Sequence, residues 1–193
     1  MTVLPDEQTS SAVVKPGRRR RRWIIASAVT AVYLVVGVVE VRLFLVPTSD
    51  HPGPTDAVVV LGGATYITRL HAAERLIADN SPGAVEAVST PNGLPCPTYH
   101  APQASALICF IPDPTTTQGE ARAVAKLAAQ YGWTSITVVT TADQVWRARL
   151  RFSRCWSGDL RVVQAPTTIV TRLLSAPYET AATIKAEVFQ RRC

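Results

Sequence analysis

Asp56-Ala-Val-Val-Val-Leu-Gly-Gly63, DAVVVLGG, is the stretch that decides the fold. Its β-branched run shows no polar alternation, the pattern of a short strand buried on both faces, and such strands belong to parallel sheets. Gly62-Gly63 stops it. Downstream, Tyr66 to Asp79 carries apolar residues at Ile67, Leu70, Ala73, Leu76 and Ile77, the spacing of an amphipathic helix. The alternation then repeats. AVEAVS (84–89) and LICFI (107–111) read as strands, and Thr117 to Tyr131 as a helix opened by a Thr117-x-x-Glu120 capping box and closed by Gly132. SITVVT (135–140) is a fourth strand, Asp143 to Cys155 a helix, Leu160 to Gln164 a fifth strand and Ala176 to Gln190 a last helix. Repeated βα units joined by short turns predict an α/β, Rossmann-like three-layer domain with a mostly parallel sheet over residues 56–193.

Upstream of the domain, Arg18 to Arg22 abut the uncharged stretch WIIASAVTAVYLVVGVV (23–39). As a helix this stretch is about 25 Å long, close to the roughly 30 Å hydrocarbon core. Val41 to Val46 extend the apolar surface past Glu40 and Arg42, and Pro47 ends it, so residues 23–46 are expected to form one transmembrane helix. No comparable basic group follows, and the positive-inside rule places the tail in the cytoplasm and everything after Pro47 outside the plasma membrane. A cleaved signal peptide is the main competing reading, although the core is longer than a usual h-region and no small-x-small site follows. A twin-arginine export signal fits more loosely. Residues 1–22 read as a disordered basic tail, and TSDHPGPT, within residues 47–55, as a proline-stiffened linker.

Of the net charge of +6, residues 1–46 hold +4 and the outer domain +2. With no basic block, the domain lacks the electrostatic footprint of a nucleic-acid binder. Its four cysteines all follow the apolar run. An oxidising exterior permits disulfides, and Cys96–Cys109 would pin the proline-rich loop PCPTYHAPQASALIC while Cys155–Cys193 would tie the chain end to the domain. Free thiols are the alternative. The scattered His51, His71 and His100, with no C-x-x-C pair, suggest no metal site.

Ligands of such sheets gather at the carboxyl ends of the strands. Three segments arrive there: Leu61-Gly-Gly-Ala64, where small residues let amides approach an anion; Thr115 to Glu120; and Thr140-Thr141 followed by Arg147. A tight turn alone would account for the glycines, a helix cap for Thr117 and Glu120, and a salt-bridged helix surface for Arg147. Read as a site, Arg69 and Arg147 supply forked bonds to phosphate, Gly62 and Gly63 the amides, and Glu120 is the candidate catalytic acid, with Asp113 and Asp143 near in sequence. Trp146, Phe152 and Trp156 read as core or rim packing. Glu86 lies within the second strand rather than at its end, so there is no ribose anchor and the cofactor stays unassigned.

Four blocks in order, DAVVVLGG (56–63), RLHAAERL (69–76), TTQGEARA (116–123) and ITVVTTADQVWRAR (136–149), resemble the ElyC/SanA/YdcF family over residues 56–165. The resemblance implies a Rossmann-like domain, commonly tethered by an N-terminal membrane helix and associated with bacterial envelope integrity and peptidoglycan precursor metabolism. It also implies pocket roles for Gly62, Gly63, Arg69, Thr117, Glu120 and Arg147. Two departures stand out. Ser89-Thr90-Pro91-Asn92-Gly93 replaces the family's second glycine turn, and Gln144 stands where relatives often have a histidine that could act as a general base. The expected function is binding of a phosphorylated or lipid-linked cell-wall precursor; the alternatives are a hydrolase or transferase acting on it, or a structural envelope protein with a vestigial pocket.

Overall fold

A computed structural model describes residues 17–188 and 190–193; the tail expected over residues 1–16 lies outside them. The chain divides between Val38 and Val39. Helix α1, Arg18–Glu40, buries none of its residues and continues through a π-helical turn, Val41–Leu45. Together they are long and apolar enough to cross a membrane, with mean hydropathy 2.3 over their most apolar 18 residues. Arg18 to Arg22, expected in the tail, are helical instead, because arginine propagates a helix well. The globular unit also begins earlier than expected: Phe44 is buried, so the end of the apolar run is part of the domain's packing.

The domain carries β1 (Ala57–Val60), α2 (Tyr66–Asn80), β2 (Val85–Ser89), β3 (Ala106–Phe110), α3 (Thr117–Tyr131), β4 (Ser135–Thr141), α4 (Val145–Cys155), β5 (Asp159–Ala165) and α5 (Ile169–Val188). All five strands pair in parallel in the order β3-β2-β1-β4-β5. The central β1 is wholly buried on both faces, as its unbroken valines require. Val59 and Leu61 pack with Val124, Ala128, Ala148 and Phe152 of α3 and α4. Val58 and Val60 pack with Leu70, Ala73 and Ile77 of α2 on the other face. Ile67, counted with that apolar stripe in the sequence, points to solvent.

Two disulfides, Cys96–Cys109 and Cys155–Cys193, close the pairs expected from the sequence. The first pins the loop that seats Ala101 and Ala104 beside α2, and Glu86 holds it by accepting the Ala101 amide at 2.9 Å. The segment expected as a plain linker has a structural role. Asp50 N donates to Val162 O at 3.0 Å, Gln164 N to Ser49 Oγ at 3.1 Å and Val162 N to the Asp50 carboxylate at 2.8 Å, so residues 49–50 cover the β5 edge that an open sheet would expose.

Helix α5 starts seven residues before the expected Ala176. The Thr168 hydroxyl accepts the Thr171 amide at 3.2 Å and starts the helix, and Pro177 is carried inside it.

Candidate functional site

Beyond β1 the sheet order reverses, so the loops after β1 and β4 part and leave a crevice between them. A cavity of about 220 Å³ occupies it, lined by the Gly62–Gly63 turn, Pro91 and Asn92, Pro112, Thr115 to Thr117, Glu120, Gln144, Arg147 and Tyr178. Gly62, Gly63, Thr117, Glu120 and Arg147 thus come together as the sequence suggested. Arg69 does not line it.

Arg69 lies beneath the turn, 1% exposed. Its Nη1 donates to Leu61 O at 3.0 Å and to Gly62 O, and its Nη2 to Thr141 Oγ1 and Gln144 Oε1, each at 3.2 Å. Four bonds engage the four Nη hydrogens, leaving no fork for a phosphate. The residue is therefore a buttress that ties the β1 turn to the end of β4. Burial pushes its guanidinium below the ordinary range, against the pull of Glu120 and Asp143.

The turn itself admits only glycine. A Cβ on Gly62 would sit 2.5 Å from the Pro91 ring, and Gly63 has φ +123°. Pro91 thus closes over the turn where the resemblance anticipates more glycine.

The capping box is displaced by one residue. Thr116, not Thr117, caps α3 by accepting the Gly119 amide at 3.3 Å. Glu120 is then one position too far along to bond back to the cap. Its carboxylate turns to the cavity and accepts the Gly62 amide at 2.8 Å. That bond removes the Gly62 amide from the expected anion cradle, whereas the first-turn amides of Thr117 and Gln118 have no partner within their own helix. Burial pushes the Glu120 carboxyl up, opposed by the Gly62 amide and by Arg69 and Arg147. Burial therefore makes the neutral form, which can donate to a ligand oxygen, more accessible than in a free carboxyl.

Arg147, on α4, brings a cation to the lining. Its Nη2 donates to Glu179 Oε1 at 3.0 Å, and its Nε approaches Glu179 Oε2 at 2.9 Å as an ion pair, with its N–H directed off that line. The Tyr178 ring stacks on the guanidinium at 5.8 Å from its centroid. Glu179 is 1% exposed, and burial pushes its carboxyl up to about 7 against the pull of Arg147, with Asp143 adding to the rise. Asp143 is itself buried, and its Oδ1 lacks a partner among the described residues; Asp113 is exposed and outside the lining.

Tyr178 and Glu179 were not anticipated. The available signal was the arginine spacing 147, 151, 154 on α4, one helical stripe. All three grip α5 or its extension: Arg151 Nη1 donates to Gln190 O at 2.7 Å, and Arg154 Nη1 to Ala186 O at 2.9 Å. Gln144 accepts from Thr140 and Arg69, and so orients the pocket floor rather than offering a base. Among the described residues, no group of three or more His, Cys, Asp or Glu side chains is placed to hold a metal ion. No family model, curated protein or solved structure matches the chain.

Proposed function

We propose that the chain is a membrane-anchored, extracytoplasmic protein of the bacterial cell envelope that binds a phosphorylated or lipid-linked cell-wall precursor in the crevice beyond β1 and β4, consistent with its resemblance to the ElyC/SanA/YdcF family. The observation that carries this reading is the convergence on one cavity of the Arg147 guanidinium, the α3 N-terminus and the hydroxyls of Thr115 to Thr117. Helix N-terminal amides and a forked cation are the donors that phosphate oxygens require. The outward orientation is supported by the arginine cluster in the first turns of α1 and by two disulfides, which persist in oxidising compartments.

Calorimetric titration of the purified full-length chain with a prenyl monophosphate, a UDP-linked amino sugar and inorganic phosphate tests it. Arg147→Ala should weaken binding by roughly tenfold or more, the effect of losing one charged hydrogen bond, and Arg147→Lys should weaken it less. Absence of binding by all three probes, or indifference to Arg147→Ala, overturns the reading.

An enzymatic role is the second reading, favoured by the raised carboxyl of Glu120 inside the cavity. Lost turnover with retained binding in Glu120→Gln would support a hydrolase or transferase. Indifference to both substitutions would support a structural envelope protein with a vestigial pocket.

A further inference from the structure

The first turns of α5 present an apolar face that the domain leaves uncovered. Ile169, Val170, Leu173 and Leu174 are all exposed, Leu174 at 79%. Between Ile169 and Tyr178 there is no acid, and the one charge is Arg172. Its Nη1 donates to Leu45 O at 2.8 Å, so the patch is fastened to the last residue of the apolar run that begins with α1. On the other side of that run's end lies a second cavity, about 310 Å³, lined by Leu43, Val46, Val145 and Trp146 with Arg42 and Arg149. Trp146 is exposed there.

We propose that the first two turns of α5, together with Trp146, are a second membrane contact that lies in the interfacial layer of the bilayer that α1 crosses. The inference rests on the reading of α1 as an anchor, not on the nature of the pocket ligand. Three features select a bilayer surface as the occupant. The patch is continuous with the end of the apolar run, so wherever Leu45 meets the lipid boundary the patch meets it too. Its composition is that of an interfacial helix, aliphatic outward and free of acids. The adjoining rim adds Trp146 and Arg42, side chains suited to the headgroup level, where an indole has both apolar and polar neighbours and a cation meets anionic lipid, while Arg149 there is paired with Asp50 at 2.7 Å. Exposed aliphatic faces on soluble surfaces carry a solvation cost that such docking removes.

Docking has a geometric consequence for the pocket. Tyr178 lines the crevice and lies two turns, about 12 Å, along α5 from Val170. The crevice mouth is thereby held within reach of the headgroup layer.

The test uses the full-length chain in vesicles of phosphatidylethanolamine and phosphatidylglycerol. Because the four native cysteines are paired, Leu174→Cys creates a single site for an environment-sensitive fluorophore. Gln130→Cys, exposed at the far end of α3 near the amino ends of the strands, opposite the carboxyl ends from which α5 starts, is the reference. Docking requires a blue-shifted label at position 174 that loses more than half its emission to a lipid-borne nitroxide, while the label at position 130 keeps nearly all of it. A label at 174 that stays aqueous on a chain that floats with the vesicles overturns the docking and leaves the anchor standing. A chain that does not float overturns both. A blue shift without lipid quenching, with cross-links between copies through position 174, assigns the face to a second copy and overturns the bilayer as occupant.

Discussion

On the sheet side of the crevice, Arg69 ties the carbonyls of Leu61 and Gly62 to Thr141 and Gln144, and every strand of that wall continues into a core buried on both faces. On the other side, α5 buries Glu179, Thr183 and Ala186 of its twenty residues, and is held by two ion pairs, Arg147–Glu179 and Arg154–Glu187, further bonds from α4 arginines and the Cys155–Cys193 bridge. The first wall is fixed by packing and backbone geometry. The second is a polar clasp that rising pH and reduction can loosen. Damage to the first should therefore be global, and damage to the second local and dependent on conditions.

The sharpest separation comes from Arg69→Met. It removes four donors and leaves buried carbonyls without partners, a loss of about 4 kcal/mol, given about 1–3 kcal/mol for each unsatisfied group and some relief from no longer burying a charge. For a domain of this size the melting temperature should fall by roughly 10 °C, in one cooperative transition. If hydrogen exchange instead rose only in residues 61–69, the sheet wall would not be the rigid one.

Next in size is Cys155→Ser with Cys193→Ser. The bridge spans a sequence separation of 38, for which chain entropy assigns about 4 kcal/mol at most. Because the C-terminal segment is also held by Gln118 Nε2 donating to Arg192 O at 3.0 Å and by Arg122 donating to Cys193 O at 2.6 Å, the fold should persist with exchange raised mainly in α5. Uniform loss of protection across the sheet would break the comparison, since it would make the clasp part of the core.

The two walls also differ in how far the sequence disclosed them. DAVVVL could only be a doubly buried strand, and the order of βα units placed Gly62, Glu120 and Arg147 at one edge of the sheet. Both disulfide pairs followed from the loops they close. Three features escaped. Glu120 admits a cap role beside its pocket role because T-x-x-E fits Thr117-Glu120, while Thr116, an equally good cap residue one position earlier, is the one the backbone uses. Arg69 looked like an anion ligand because sequence does not reveal that two backbone carbonyls already face its guanidinium. Glu179 lies 32 residues beyond Arg147, in a helix whose first turns carry the stripe of an apolar surface rather than of a core, so nothing local marked its start. In each case the missing information was a long-range pairing, which local periodicity does not contain.

The smallest effect, and the one that probes the clasp most directly, is the response to pH. Glu179 has its carboxyl raised from 4.5 to about 7 in the folded protein. Between those values the native state holds a proton that the unfolded chain releases, so its contribution favours folding as pH falls from about 7 toward 4.5 and is lost as pH rises through 7. For a side chain this buried, the span is worth about 3 kcal/mol. Glu120 and Glu86 are raised as well and add the same sign, whereas Asp50 and Asp56 are lowered and act in the opposite sense in more acid solution. Glu179→Gln removes one of these contributions and leaves the others, so denaturant midpoints measured from pH 5 to 8 should show a clearly flatter slope than the parent. The same variant removes the charge that opposes Arg147 in the folded protein at high pH, and phosphate binding should then become tighter at pH 8. Parallel slopes in parent and variant would mean that Glu179 stays ionised throughout, and that α5 is held as firmly as the wall it faces.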